Sequence, residues 1–189
     1  MKQSEIIRLL EENPVIAAVK DQAGLSESLA SSCKVVFILY GNVLDIADIV
    51  RQIHTAGKAA IVHIDLVDGL AARDIAVEFI AKNTEADGVI STKQSLVKRA
   101  RELGLLSIRR FFLLDSMALQ NIQKQLVEGS VDLIEVLPGI MPKILQKIVE
   151  QANIPVIAGG LITEKEDVVH ALSVGAVAIS TTNQKAWYF

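Results

Sequence analysis

Short apolar runs recur along this chain, and each is followed by a polar stop and then by apolar residues at helical spacing. Runs of three to six residues bounded by glycine, proline or polar residues read as buried strands. They fall at 15–19, 35–39, 59–64, 88–90, 110–114, 133–137, 154–158 and 176–179. The intervening stretches carry a different period. Ile46, Ile49, Val50 and Ile53 share one face of a helix over 44–55, and Gly57 stops it. Ile6, Ile7, Leu9 and Leu10 make an amphipathic first helix that ends at Asn13-Pro14. Further helices are predicted at 26–31, 74–81, 96–103, 116–127, 144–151 and 164–173. Thr163 stands three residues before Glu166, the spacing of a capping box, and Asp115 is placed to cap the helix that follows it. The last segment, from Asn183, is a stub ending in Trp187-Tyr188-Phe189.

Strands that alternate with helices through short connections form a parallel sheet. Eight such units close into a compact (β/α)8 barrel, so the chain reads as a single α/β domain of TIM-barrel type. An open doubly wound sheet is the second choice. At 189 residues the chain is shorter than the roughly 250 typical of the barrel, so its loops must be short.

Composition narrows this picture. Hydrophobic residues make up 51% of the chain but aromatics only 4%, which describes an aliphatic core covered on both sheet faces. No apolar run reaches the roughly 18 residues that span a bilayer, and the N-terminal residues lack the apolar core of a signal peptide. The expected location is the cytoplasm. A single cysteine, Cys33, forms no internal disulfide and no cysteine-rich zinc site, and no cofactor is implied. A formal net charge of -3 argues against a general nucleic-acid coat but leaves room for a local basic face.

Chemistry should gather at the C-terminal ends of the strands. The seventh strand ends in Gly159-Gly160 and the eighth in Ser180-Thr181, and adjacent strand ends of this composition form a cup of donors suited to phosphate. The glycines taken alone make only a tight turn. Lys20, Asp65, Lys93 and Glu135 stand at or near other strand ends and form a candidate polar pocket beside the cup, with carboxylates for ligand hydroxyls. An internal salt-bridge network using Lys20 or Arg110 explains the same carboxylates. His63 shares its parity with Asp65 and reads as a core residue. Lys98, Arg99, Arg101, Arg109 and Arg110 are a candidate RNA-binding surface around the helix at 96–103 and the fifth strand, and equally a solvated face.

Several segments together carry a family resemblance: His63-Ile-Asp-Leu-Val-Asp-Gly69, Gly88-Val-Ile-Ser-Thr-Lys93, Phe112-Leu-Leu-Asp115, Ile134-Glu-Val-Leu-Pro-Gly-Ile140, Ala158-Gly-Gly-Leu-Ile162 and Gly175-Ala-Val-Ala-Ile-Ser-Thr-Thr-Asn183 with Trp187. In this order and spacing the chain resembles the bacterial glycerol uptake operon antiterminator regulatory proteins, from about Pro14 to Trp187. The resemblance implies a (β/α)8-like fold and a regulator, not an enzyme. Such a regulator senses glycerol 3-phosphate and acts on leader mRNA so that transcription passes a terminator, and ligand orders rim loops or favours a homo-oligomer. It also implies a phosphate grip at Gly159, Gly160, Ser180 and Thr181. Thr163 departs from the basic residue expected after the double glycine, and Asp68 from a histidine-like residue, so both lower the positive charge near the cup. The alternative function is a phosphate-ester isomerase or lyase on the same fold, with Glu135 or Asp65 as general base.

Overall fold

The computed structural model describes residues 1–126 and 131–189. Among these residues, eight parallel strands pair in sequence order and close on themselves, β1 with β8. The strands are β1 (Val15–Val19), β2 (Val35–Ile38), β3 (Ala59–His63), β4 (Gly88–Ser91), β5 (Leu106–Phe112), β6 (Leu133–Leu137), β7 (Val156–Gly159) and β8 (Ala178–Thr181). Helix α1 (Gln3–Glu12) precedes the barrel. The crossovers are α2 (Gln22–Ala30), α3 (Ile46–Thr55), α4 (Asp74–Asn83), α5 (Gln94–Glu102), α6 (Ser116–Leu126), α7 (Pro142–Gln151) and α8 (Lys165–Ser173). After β8 the chain ends in a 3-10 segment, Gln184–Tyr188, as the stub predicted.

The core has two parts, and strand parity separates them. Ile16, Ala18, Val35, Phe37, Ala59, Ile61, Ile90, Leu106, Ile108, Leu133, Ile157 and Ala178 fill the barrel, and Ile6 and Leu10 of α1 close its floor against them. The residues between, such as Ala17, Val36, Ala60, Val62, Ile134, Val136, Ala158 and Ile179, pack outward against the helices. One stripe of α1 is therefore buried by the barrel interior, which explains its sharp amphipathic pattern. The described residues contain no helix long and apolar enough to cross a membrane.

Three local expectations shift. The fifth strand starts at Leu106, four residues before the predicted start, because Gly104 at φ 81° ends α5 and the chain turns straight back into the sheet. The capping box of α8 uses Glu164 and Asp167, one residue after the predicted pair, with the Asp167 carboxylate accepting the backbone N–H of Glu164. Val127, the last residue of the predicted helix after Asp115, lies outside the described residues. Asp115 caps that helix as expected, accepting the N–H of Ala118 at 2.8 Å.

One buried cation holds the α2–β3 side of the barrel together. Lys58 is 5% exposed, and its ammonium donates to the carbonyls of Ser28, Ser31 and Cys33 at 2.7 to 2.8 Å. Two of these carbonyls belong to the end of α2 (Ser28 and the Ser31 cap), which has no other basic residue in its last turn. Replacing Lys58 with Met keeps the length and takes this donor from the Ser31 and Cys33 carbonyls, while the Ser28 carbonyl keeps the Ser31 hydroxyl. The expected loss is about 2–4 kcal/mol, and chemical denaturation of wild type and Lys58→Met measures it.

Candidate functional site

The interior parity that fills the lower barrel with aliphatic residues continues upward into a polar layer. The next inward positions are His63 on β3, Arg110 on β5, Glu135 on β6, Gly159 on β7 and Ser180 on β8. Glu135 has no exposed surface. One carboxylate oxygen accepts from Nε of Arg110, which is itself 8% exposed, and the other accepts from the Ser180 hydroxyl. Arg110 and Glu135 are register partners on adjacent strands, so the pairing follows from the sheet.

Gly159 makes this arrangement possible. A Cβ at position 159 would lie 2.7 Å from both Glu135 Oε1 and Ser180 Oγ. Contacts that short are steric overlap, so the missing side chain is the space the carboxylate occupies. His63 is buried nearby, and its Nδ1 has no hydrogen-bond partner among the described residues. Burial, and then the positive charge of Arg110, push the imidazole pKa down to about 4, so His63 is neutral at pH 7.

Above this layer, the loops after β7 and β8 enclose a pocket of 360 Å³. Gly160, Leu161, Ile162 and Thr163 form one side, Ser180, Thr181, Thr182 and Asn183 the other, and Ala18, Leu39, Arg110 and Leu137 the remaining wall. The two loops are tied together. The Thr181 hydroxyl donates to the Ile162 carbonyl at 2.7 Å, and the Asn183 amide donates to the Thr163 carbonyl at 3.0 Å. Trp187 fixes the second loop from behind, its indole N–H donating to the Thr181 carbonyl at 2.9 Å. Gly160 and Leu161 both take left-handed backbone conformations, φ 74° and 61°. Gly160 adopts this freely, whereas an exposed leucine does so at a cost.

Of the residues predicted for the phosphate grip, Gly160, Ser180 and Thr181 line this pocket, and Gly159 serves the buried carboxylate beneath it. The predicted polar pocket does not come together around the ligand space. Asp65 accepts from Ser91 Oγ, Thr92 N and Thr92 Oγ1 at 2.8 to 3.0 Å, which binds the end of β3 to the end of β4. Those bonds hold its carboxyl pKa below the ordinary range despite partial burial. Lys20 and Lys93 are exposed at the ends of β1 and β4, outside the pocket lining.

The predicted basic surface also divides. Arg110 is the clear correction: it shares the inward parity of Ile108 and pairs with Glu135, the internal salt bridge that was the alternative reading of this carboxylate, so its side chain points into the barrel and not to solvent. Arg99 pairs with Glu78 at 2.8 Å and Glu102 at 3.0 Å. Arg101 lies 3.4 Å from Asp132, and the Arg109 guanidinium sits 5.1 Å over the Phe111 ring. Lys98 is exposed on α5. Sequence reasoning missed Arg110 as the charged wall of the pocket, although Gly104 and the apolar pair Leu105-Leu106 were the signal for the earlier strand start. It also missed the leucines at 39, 137 and 161, whose role depends on which loops converge.

Comparison with known proteins places this geometry in a family. The family model for the glycerol-3-phosphate responsive antiterminator matches residues 15–187. The chain is 46% identical over 182 residues to the Escherichia coli (strain K12) protein named "Uncharacterized protein YgcP", covering 96% of this chain and 95% of the relative. Its structure is similar to the crystal structure of the glycerol uptake operon antiterminator regulatory protein of Listeria monocytogenes str. 4b F2365, with TM-score 0.88, 33% identity, and 93% and 95% of the two chains covered. It is also similar to a glycerol uptake operon antiterminator-related protein of Thermotoga maritima MSB8, with TM-score 0.81, 33% identity, and 92% and 96% covered. With its closed eight-stranded barrel and a family match over nearly its whole length, the chain belongs to the glycerol-3-phosphate responsive antiterminator family.

Proposed function

We propose that this protein is a ligand-gated regulator in the cytoplasm that takes the phosphate end of glycerol 3-phosphate into the β7–β8 pocket and acts on leader mRNA of glycerol genes. The observation that carries this reading is the placement of Arg110. A guanidinium 8% exposed forms part of the wall of a pocket otherwise built from two strand-end loops, at the position where this fold binds phosphate. Family membership supplies the regulatory role.

The enzyme reading has less support from the same geometry. A general base needs a free lone pair within reach of a substrate proton. Both oxygens of Glu135 are engaged by Arg110 and Ser180, and both oxygens of Asp65 by Ser91 and Thr92. His63 is neutral and could accept a proton, yet it lies outside the pocket lining.

A ligand that binds the folded form raises the melting temperature with occupancy. Glycerol 3-phosphate is expected to raise it in titration and glycerol at the same concentration to leave it unchanged. Trp187, the single tryptophan, holds the Thr181 carbonyl, so its emission should change over the same titration. No response to glycerol 3-phosphate in either measurement would overturn the pocket assignment.

For RNA, exposed Lys98 is the contact we assign to a phosphate, while the acids around Arg99 and Arg101 offset their charge. Lys98→Gln is expected to weaken retention of the leader RNA on filters and to reduce the slope of log affinity against log salt by about one. An unchanged slope places the RNA on another face.

A further inference from the structure

We infer that the loops after β5 and β6 form an interface on which a second copy of this chain docks about a two-fold axis. This goes beyond the ligand reading and does not depend on it.

Four large apolar side chains stand open on these loops. Phe112 is 50% exposed, Leu114 86%, Met117 68% and Ile140 42%. The fold brings them together. Phe112 and Leu137 are register partners, and the Leu113 N–H donates to the Leu137 carbonyl at 2.7 Å, so the two loops leave the sheet side by side. Met117 lies in the first turn of α6 and Ile140 just before α7, and these two helices also pack on each other. Side chains of this size at these exposures leave apolar surface on the order of 400 Å² open, the scale at which a patch marks an interaction site. None of the four lines the β7–β8 pocket, so a ligand there does not cover them.

The charges decide which partner fits. Within 112–121 and 136–146 the charged residues are Asp115 and Lys143, both exposed. Gln120 and Asn121, farther along the outer face of α6, are exposed amides. Few charges together with open Phe and Met side chains are the composition of a protein–protein interface core. A face with one acid and one base offers RNA no positive track, and it meets an identical face without repulsion. In a two-fold contact the same patch faces itself, and each pairing occurs twice. Asp115 of one copy then meets Lys143 of the other at both edges of the apolar centre. Asp115 has an oxygen to give: Oδ1 accepts the Ala118 N–H, and Oδ2 has no partner among the described residues. Two copies would bury about 800 Å² of apolar surface plus this polar edge, at the lower end of stable interfaces, so association is expected in the micromolar range.

Sedimentation velocity of the full chain over a concentration series, without ligand, reads the association. Wild type is expected to pass from monomer to dimer across the micromolar range. Leu114→Glu and Met117→Glu each place a charge in the apolar centre at an exposed position. Each should weaken dimerisation about tenfold or more, with an unchanged melting temperature showing that the barrel is intact. Lys143→Glu should weaken it too, and adding Asp115→Lys should restore it. Asp115→Lys also gives up the cap of α6, so the restoration is read in association and not in stability. Wild type that stays monomeric into the high micromolar range overturns the inference, and loss of leader-RNA retention in Leu114→Glu would then give the face to RNA. A dimer indifferent to Leu114→Glu and Met117→Glu overturns it as well, by placing the contact elsewhere. None of the substituted residues lines the pocket, so the melting response to glycerol 3-phosphate tests the pocket assignment separately.

Discussion

A carboxylate with no exposed surface stays in a barrel core only if its oxygens are satisfied, and the upper half of this barrel is arranged around satisfying Glu135. Three strands contribute. β5 brings Arg110 as its register partner, β8 brings the Ser180 hydroxyl, and β7 withdraws its side chain altogether at Gly159. These contributions are mutually dependent. Any larger residue at 159 displaces the carboxylate, a displaced carboxylate leaves the Arg110 charge unmatched, and Arg110 is also a wall of the pocket. The network therefore links barrel stability to the shape and charge of the ligand space. A pair of this kind contributes little net stability, because desolvation offsets the attraction, but removing one partner is expensive. What it supplies is a guanidinium held rigidly by the sheet at the base of two loops.

The barrel itself was legible in the sequence because eight aliphatic runs separated by helical spacing admit few arrangements. Strand parity groups His63 with Asp65 without saying which side is inside, and the closed barrel is what buries His63 and Glu135. The boundaries were less legible where a strand carries charges. Leu106–Phe112 includes Arg109-Arg110, and charges at the centre of a strand read as a loop or surface until the sheet closes around them. The predicted strand already began at Arg110, but its inward side is set by pairing with Glu135 in the closed sheet, which takes Arg110 from a proposed RNA face to the wall of the pocket. Asp65 shows a second limit. Its type and position suggested a ligand contact, but Ser91 and Thr92, twenty-six and twenty-seven residues later, claim both oxygens, and only the fold reveals that they meet. The glycines illustrate a third. Gly159 and Gly160 read as one phosphate motif, yet one makes room for a side chain below and the other turns the backbone above.

The 3-10 segment Gln184–Tyr188 packs on the outside of β1 and β8, where the barrel closes. Trp187 takes the place of a helix face. It is 1% exposed, joins the outer core, and donates its indole proton to Thr181, while its carbonyl accepts from the Ser32 hydroxyl at 3.2 Å. One residue thus bridges the loop after α2 and the wall of the pocket.

That bridge bears on regulation. A ligand shifts a conformational equilibrium only by its differential affinity for the two states. The two pocket loops meet through the Thr181–Ile162 and Asn183–Thr163 hydrogen bonds, and the outer one is exposed. A phosphate ester touching both loops would add its own bonds to these and favour the state in which they are closed. Thr181 is held by Trp187, and Trp187 by Ser32, so the pocket wall and the C-terminal segment share one chain of hydrogen bonds to the α2 side of the barrel. That chain of bonds runs through backbone carbonyls fixed by one indole, whereas Arg110 and Glu135 are register partners inside the closed sheet.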